Sequence, residues 1–494
     1  MATTRLYATQ GMVFNWDILV CLLPYLTIEP RQLLPFMKTC RTLYEAGIPF
    51  LYGDHTSIDY RWKPVRSLHD TLVSNPRYAN YIRKLSISGV PEDYEKGAEE
   101  FVPKILALCH ALEDLAIADA EAYMEYPGFT EAMLSLKHVT KLTLQLVGPV
   151  TVKALEETGW SVIRAHIGPS DNYLEDERVE ELAPLNPLEI LSPFAESLTH
   201  LYVYYPDDMK APEGVCYPRM TSVVIAGHVD PCYLISAFPN LTEFDWVEGS
   251  DIEKVEHADH YRRDRVEYEG SGNAPQARGR PSWASLDFLA SSISRVYSMA
   301  LTCPVRVWDS RVRAQVLHVP HFHTALQDIR PTHVLLNVWV FRCTLAKIAD
   351  LFPPANITHL FVKLDLLNCP DPLTAVLDTV FSTLHRLPLT FLYVVFDYQG
   401  MFAGNKAPDT LTKEIKAMDI EAFATSLLTK VPSLEHIMFD FQRKEHPNTA
   451  WRVVPSSEGA TLRKMNDLER NEAWAEEWKL AGSSERLQIR DSRF

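Results

Sequence analysis

The chain has 494 residues, of which 47% are hydrophobic and 23% charged, and its formal net charge is −16 at pH 7. This composition is close to that of an average globular protein, which excludes a wholly disordered chain and a membrane protein. The length exceeds one compact core and predicts several units or an elongated repeat array. The acidic balance argues against a main role in gripping phosphate backbones, because such binding draws on clustered lysine and arginine.

Targeting and redox signals are weak. Residues 12–26 imitate the apolar core of a secretory signal, but Asp17 interrupts the run, only Arg5 precedes it, and no small-residue cleavage site follows. Apolar runs such as Ile18 to Leu23 are far shorter than the roughly 20 residues of a spanning helix. Eight cysteines are scattered without a Cys-x-x-Cys pair. We therefore expect no zinc ribbon, no disulfide framework, no membrane partner and a cytoplasmic or nuclear location.

Residues 14–52 predict three short helices, and prolines divide the first two. Pro30 suits the first turn of the second helix, where its missing N–H has no partner to lose. Pro35 shortens or bends that helix, since an interior proline removes a hydrogen bond. The first helix carries an apolar stripe at helical spacing, made of Trp16, Leu19, Leu22 or Leu23, and Leu26.

The third helix of this segment is expected to turn Cys40, Leu43 and Tyr44 inward. Gly47 suits a left-handed cap at the end of a helix, and Pro49 opposes continuation. The spacing therefore predicts that this helix ends near residue 47.

Beyond residue 80 the sequence repeats a frame of the form apolar-x-x-apolar-x-apolar. Its last two apolar positions share one face of a strand, because side chains alternate along a strand. The central residues are mostly 20 to 30 apart, and the interval of 59 between Leu142 and Leu201 corresponds to about two units. The copies are Ile82/Leu85/Ile87, Leu112/Leu115/Ile117, Val139/Leu142/Leu144, Leu198/Leu201/Val203, Met220/Val223/Ile225, Leu241/Phe244/Trp246, Ile357/Leu360/Val362, Leu389/Leu392/Val394 and Leu434/Ile437/Phe439.

Helical candidates lie between several copies, at Phe101 to Leu112, Leu373 to Leu387 and Ile420 to Leu428. Strand, turn, helix and return, repeated, predicts an α/β solenoid with a parallel sheet and helices on one face. The weak frame between 290 and 340 leaves open whether that sheet is continuous across 249–340.

The expected domains are a helical domain over 12–60, a repeat solenoid over 61–456, and a C-terminal cap and polar tail over 457–494. Acidic residues 168–184 and the charged insertion 249–282 hold too few apolar residues to offset their ordering entropy, so both are expected to be exposed. The anchors expected in the cap are Leu468, Trp474 and Trp478.

A search for catalytic signatures argues against an enzyme. The chain has no dinucleotide fingerprint, no phosphate loop, no nucleophile elbow and no His-Glu-x-x-His. The best metal candidate is His318, His321 and His323, of which the last two could share a strand face, but no acidic or cysteine partner stands at ligand spacing. We expect no metal and no cofactor.

Arginines between 262 and 280 could hold phosphate, but acidic residues interleave with them and cancel most of the local field. We therefore expect no nucleic-acid partner. Paired acids are expected to form solvated faces rather than acid/base couples. The arginines are Arg262, Arg263, Arg265, Arg278 and Arg280, and the paired acids are Glu99-Glu100, Glu156-Glu157 and Glu180-Glu181.

Residues 14–52 resemble an F-box, in the F-box-like form of fungal, basidiomycete-type proteins that carry irregular leucine-rich repeats behind it. The resemblance rests on spacing and residue type in Phe14 to Leu19, Leu22 to Leu26, Leu33-Leu34, Thr39 to Tyr44 and Pro49 to Tyr52. In that family the helical box docks on a Skp-type adaptor joined to a cullin scaffold, while the repeats capture a protein substrate for ubiquitin transfer.

The resemblance implies a substrate-recognition subunit of a ubiquitin ligase with no catalytic centre of its own. It places eight residues in or beneath the adaptor-facing surface, although the same residues can instead form the core that joins the three helices. These residues are Phe14, Asn15, Trp16, Leu19, Leu22, Leu34, Cys40 and Leu43.

The chain departs from the family pattern in two places. A Leu-Pro pair usually opens an F-box, whereas Phe14-Asn15 stands here, which keeps open the alternative of a leucine-rich-repeat binding scaffold with no ligase role. The repeat position that usually holds Asn or Cys is also different, which predicts an irregular solenoid without a buried side-chain ladder. That position holds Val90, Ala120, Val147, His228 and Asp365.

Overall fold

The structure is a computed structural model of the chain. It describes residues 16–26, 30–53, 56–58, 62–88, 100–168, 185–204, 209–227, 229, 231–247, 257–263, 282–310, 318–340, 345–367, 369–398, 409–441, 448–457 and 459–478. The chain divides into two units, Met1–Val203 and Tyr204–Phe494. The expected helical domain over 12–60 is thus part of the first unit.

Three helices open the first unit: α1 (Trp16–Leu26), α2 (Pro30–Met37) and α3 (Arg41–Gly53). Pro30 begins α2, as predicted. The predicted end of the third helix is wrong, because α3 continues through Gly47 and Pro49 to Gly53. Gly47 serves close packing instead of a cap, since a Cβ there would overlap the side chain of Met37.

The strands of the first unit pair in chain order and in parallel: β1 (Thr56–Ile58), β2 (Lys84–Ile87), β3 (Asp114–Ile117), β4 (Lys141–Gln145), β5 (Arg164–Gly168) and β6 (His200–Tyr204). Helices lie between them. They are α4 (Trp62–Ser74), α5 (Phe101–Leu108), α6 (Ala120–Glu125), α7 (Phe129–Leu134), α8 (Pro149–Glu157) and α9 (Pro187–Ile190), with 3-10 turns at Pro76–Tyr81 and Ser192–Phe194.

The second unit contains β7 (Ser222–Ala226), β8 (Glu243–Val247), β9 (Leu286–Ala290), β10 (Val305–Asp309), β11 (His333–Trp339), β12 (His359–Asp365), β13 (Phe391–Asp397), β14 (His436–Phe441), β15 (Thr449–Ser456) and β16 (Gly459–Lys464). Strands β7 to β14 pair in parallel and in order, so the sheet is continuous across the 249–282 insertion. The last two strands pair antiparallel.

Helices also separate the strands of the second unit. They are α10 (Pro231–Ala237), α11 (Ile293–Met299), α12 (Val319–Ile329), α13 (Leu345–Ile348), α14 (Leu373–Phe381), α15 (Asp409–Ala417), α16 (Ile420–Lys430) and α17 (Asp467–Trp478), with a helical segment at 257–263 and a 3-10 turn at Leu384–Arg386. Each of the three helices predicted between repeats has its counterpart here or in the first unit, in α5, α14 and α16. The fold is therefore mixed α/β with a mostly parallel sheet.

The central residues of the repeat frame stand opposite one another on neighbouring strands. Leu85 pairs with Leu115 and Leu115 with Leu142 in the first unit, and Leu360 pairs with Leu392 in the second. The long interval between Leu142 and Leu201 contains one further strand, β5, in which Ala165 holds the central position. The interpretation of that interval as two units is confirmed. The other strands that the frame missed are β1, β9, β10, β11, β15 and β16.

Threonine stands directly before seven of the described strands, and six of these threonines donate their hydroxyl to a backbone carbonyl of the preceding repeat. The Thr358 hydroxyl donates to the Thr332 carbonyl at 3.2 Å, and the Thr390 hydroxyl donates to the Thr358 carbonyl at 3.3 Å. These hydrogen bonds link neighbouring strands where the strands begin. The seven threonines are Thr140, Thr199, Thr221, Thr242, Thr332, Thr358 and Thr390.

Connecting helices of the second unit cover the frame face of the sheet. Phe322 of α12 lies 5.5 Å from Trp308, measured between ring centroids, and Phe423 of α16 lies 5.5 Å from Phe439. Trp308 and Phe439 both occupy frame positions. The positions of α12 and α16 agree with the prediction that helices lie on one face of the sheet.

The C-terminal helix α17 is an exception, since it packs on the opposite face of the same sheet. The Trp474 ring lies 5.1 Å from Tyr393 and 6.1 Å from Phe361, both of which alternate with frame residues. Trp474 is thus an anchor as predicted, but Leu468 is exposed and is not one. The Trp478 side chain lies outside the described residues. The predicted boundary at residues 456 and 457 falls at the turn of the β15–β16 hairpin.

A buried carboxylate ties two repeats of the first unit together. Glu121 in α6 accepts hydrogen bonds from the backbone N–H groups of Val150 and Thr151, both at 2.9 Å, and from the Thr151 hydroxyl at 2.7 Å. These donors lie in the first turn of α8, where backbone N–H groups have no partner within the helix and the helix dipole favours an anion. Gly148 allows the approach, since a Cβ there would overlap the Glu121 side chain.

Candidate protein-binding surface

A small apolar core holds the three N-terminal helices together. Its side chains are at most 3% exposed and come from all three helices, so α1, α2 and α3 form one packed unit. Leu43 belongs to this core, so it lies beneath the surface of the helical unit, which is one of the two places expected for it. The core residues are Leu23, Leu33, Met37, Leu43 and Ile48.

The opposite side of α1 is also apolar but lies open. Ile18, Leu22 and Tyr25 are 61%, 44% and 73% exposed, and Cys21 between them is exposed as well. Residues spaced by three, four and seven lie along one side of a helix, so these four side chains form a single row, here named the α1 stripe. A helix that is apolar on both sides needs a partner on each, and described residues cover only one.

The remaining predicted adaptor residues are distributed between these two sides. Leu22 lies in the α1 stripe, and Leu34 on α2 is 42% exposed. Leu19 is half-buried, and Cys40 is partly buried with its sulfur accepting a hydrogen bond from the Leu43 N–H at 3.5 Å. Phe14 and Asn15, together with the side chain of Trp16, lie outside the described residues.

Four exposed residues of this unit were missed by the sequence reasoning: Ile18, Cys21, Tyr25 and Tyr44. Tyr44 was expected to point inward, but it is 47% exposed. The available signal was a second set of apolar residues on α1, offset from the first by one position. Because both sets have the same period, periodicity alone does not separate the exposed set from the core set.

Charged groups stand beside the exposed tyrosine of α3. The Arg41 guanidinium contacts the Glu45 carboxylate at 2.9 Å, one helical turn away, and holds the pKa of Glu45 below its usual value. Both side chains are largely exposed. Apolar residues flanked by hydrated charges are typical of a protein-binding surface, in which an apolar centre is surrounded by a polar rim.

The histidines singled out as a metal candidate lie on a helix, and the expected strand face is wrong. His318 precedes α12, and His321 and His323 lie in its first turns. The His321 ring nitrogen is 3.0 Å from the Asp259 carboxylate, and the His323 ring bonds to the Asp350 carbonyl at 2.8 Å. Among the described residues no group of three or more potential ligands could hold a metal ion.

His321 belongs to a cluster that pins the 257–263 helical segment to α11 and α12. The Tyr297 hydroxyl donates to Asp259 at 2.8 Å, and the rings of Tyr297 and His321 stack at 3.7 Å. Burial lowers the pKa of His321, and neighbouring His318 lowers it further. The hydrogen bond from Tyr297 is the main cause that lowers the pKa of Asp259. These contacts make the cluster a structural clamp.

The clamp also accounts for part of the charged insertion that was expected to be exposed. The Arg262 guanidinium contacts Asp328 at 2.8 Å and lies over the Tyr297 ring, and Ala258 is fully buried. Outside the described residues lie 249–256, 264–281 and the acidic stretch 169–184. Arg265, Arg278 and Arg280 are in the second of these ranges. Of the paired acids, Glu156 and Glu157 are exposed on α8 as expected.

Comparisons with known proteins assign no family. No protein-family model matches the chain, and no curated protein matches it. Of the helices that the structure describes, none is both long and apolar enough to cross a membrane.

Proposed function

We propose that the chain is a substrate-recognition subunit of a cullin-type ubiquitin ligase. The three N-terminal helices bind a Skp-type adaptor that joins the chain to the cullin, and the repeats bind a protein substrate. In this role the chain is an irregular leucine-rich-repeat protein with an F-box-like unit, it works in the cytoplasm or nucleus, and it has no catalytic centre of its own.

The α1 stripe is the observation that carries this proposal. Exposed apolar side chains at helical spacing are the usual contribution of a helix to a protein interface, and each such side chain loses water contact on binding. The stripe lies on a unit that its own core holds together, so a partner can bind without unfolding it. The repeats behind it offer sheet and loop surfaces for a second partner.

Assembly with purified components tests the proposal. Full-length chain is mixed with a Skp-type adaptor and a cullin and analysed by size-exclusion chromatography. We expect the wild-type chain to co-elute with both, and Ile18→Asp/Tyr25→Asp to elute alone, because a carboxylate buried at an apolar interface is strongly unfavourable.

Val73→Asp is the matched control, since Val73 on α4 is 54% exposed but lies outside the three helices. That variant should assemble like wild type. If folded wild-type chain does not bind the adaptor, the ligase role is wrong, and the chain is a repeat scaffold whose helical unit has another use.

A further inference from the structure

The sheet of the first unit has one buried and one open face. Along β2 to β6, frame residues are buried, and the residues that alternate with them are half-exposed or exposed. The second unit differs, because the corresponding face of its sheet is apolar and is covered by residues of the C-terminal hairpin and α17. A surface for a partner on the non-frame side of a sheet is therefore available in the first unit.

A row of charged residues crosses this open face at the beginning of the strands. The parallel register places one residue from each of β2 to β6 side by side. The row holds three permanent cations and one carboxylate, although the whole chain carries a net charge of −16. Its members, in strand order, are Lys84, Asp114, Lys141, Arg164 and His200.

The three cations form no ion pair with any residue that the structure describes, whereas a neighbouring arginine does. Arg83, directly before β2, contacts the carboxylate of Glu113 at 2.6 Å, directly before β3. Glu113 therefore pairs with the loop arginine, and the one carboxylate of the row, Asp114, offsets only one of the three cations Lys84, Lys141 and Arg164. A basic row in an acidic protein creates a local positive potential that attracts an anionic partner.

The next row along the strands gives this surface its shape. Ser86, Ala116 and Thr143 stand in register on β2, β3 and β4, and all three are small. On β5 and β6 the same row continues with His166 and Tyr202, whose rings meet edge to face at 4.6 Å. The surface beside the cations is thus lined by small side chains on β2 to β4 and by two aromatic rings on β5 and β6.

We infer that this open face binds an acidic, extended peptide segment of a partner protein. Neighbouring strands are about 4.8 Å apart, so Lys141 and Arg164 are separated by about 5 Å and Lys84 and Lys141 by about 10 Å. An extended peptide rises about 3.3 Å per residue, so roughly five residues carrying three carboxylates span the row. A nucleic acid fits less well, because three cations release few counterions and the rest of the chain repels a polyanion.

This inference rests on the proposed function in taking the peptide to be part of the captured substrate, but binding itself is measured without adaptor or cullin. A fluorescein-labelled octa-glutamate peptide is titrated with full-length chain at about 50 mM salt, where charge pairing is weakly screened, and binding is followed by anisotropy. Octa-glutamine is the uncharged control peptide. We expect saturable binding of octa-glutamate, which weakens at about 300 mM salt, and none of octa-glutamine.

Two double variants with equal charge change separate the row from general charge. Lys141→Glu/Arg164→Glu should weaken octa-glutamate binding about tenfold or more, whereas Lys137→Glu/Lys153→Glu, at exposed positions outside the sheet, should change it less than about twofold. Asp114→Asn, which removes the one carboxylate of the row, should strengthen binding about two- to fivefold.

Equal weakening by both double variants, or equal binding of octa-glutamine, overturns the inference. Tighter binding of a labelled single-stranded oligonucleotide that is lost in Lys141→Glu/Arg164→Glu also overturns it. Adaptor binding is measured in parallel. Peptide binding without adaptor binding contradicts only the proposed ligase role, and adaptor binding without peptide binding contradicts only the acidic-peptide site.

Discussion

Truncating two residues of the α1 stripe gives a quantitative test of the proposed adaptor-binding surface. Full burial of an isoleucine or leucine side chain contributes about 1.5–3 kcal/mol. Ile18 is 61% exposed and Leu22 is 44% exposed in the free chain. Covering the exposed part therefore contributes about 1–2 kcal/mol at Ile18 and about 0.7–1.3 kcal/mol at Leu22. The double variant Ile18→Ala/Leu22→Ala loses most of this sum, and adaptor Kd should rise about 10- to 100-fold.

Isothermal titration calorimetry of the full-length chain with a purified Skp-type adaptor measures this change. Val73→Ala serves as the control, and its Kd should stay within about twofold of wild type because Val73 lies outside the three helices. The thermal unfolding midpoint reports on the fold of each variant. We expect the midpoint of Ile18→Ala/Leu22→Ala to stay close to that of wild type, since exposed side chains contribute little to the packed core.

An unchanged Kd for Ile18→Ala/Leu22→Ala would refute the reasoning, because the stripe would then lie outside the interface. A large drop in the unfolding midpoint would refute a different step, namely that these two side chains are dispensable for the fold.

Three further outcomes follow from the described contacts. Glu121→Ala should lower the free energy of unfolding, measured in urea, by about 2–4 kcal/mol, because it leaves three donors at the start of α8 without an acceptor. Glu125→Ala, on the exposed side of α6, is the control and should have little effect. Iodoacetamide should modify exposed Cys21 but not Cys109, since burial raises the pKa of the Cys109 thiol to about 12. Bound adaptor should protect Cys21 from modification. Mass spectrometry of tryptic peptides measures both results. The pKa of His321 is lowered in the folded chain, so stability is lost as the pH falls below the unfolded pKa of about 6.5. The thermal unfolding midpoint of wild type should therefore exceed that of His321→Gln by less at about pH 5.5 than at about pH 7.5. A constant difference between the two midpoints would contradict the lowered pKa of His321.

The sequence located most of the helical unit but not its surface. Pro30 marked the start of α2 correctly, because proline in a first turn has a local physical reason. The helix end predicted at Gly47 was wrong, since a glycine can either end a helix or permit a close approach. Here it permits the approach of Met37, which belongs to another helix. The core side and the open side of α1 have the same apolar period, so periodicity alone could not tell Leu23 from Leu22.

The apolar frame predicts the repeats whose strands carry all three of its positions, and it misses the strands in which the frame is incomplete. The sequence lacks the Asn or Cys position of standard repeats, and the threonines that precede the strands, such as Thr332 and Thr358, lie outside the apolar frame. Strands β9 to β11 have Leu289, Trp308 and Val334 in the central register, but the apolar frame around them is incomplete, since Ser291 and Ser310 stand at its third position. Their place became visible only through pairing with their neighbours.

The sequence by itself determined the parallel α/β repeats and the register of their frame residues. Strand alternation and repeat length are local properties, so Leu85, Leu115 and Leu142 reveal them without any knowledge of the fold. Only the tertiary structure decided which face of each sheet is covered. The packing of Trp474 on Tyr393 and the exposure of Lys141 and Arg164 depend on contacts between segments far apart in the chain, and no local pattern encodes those contacts.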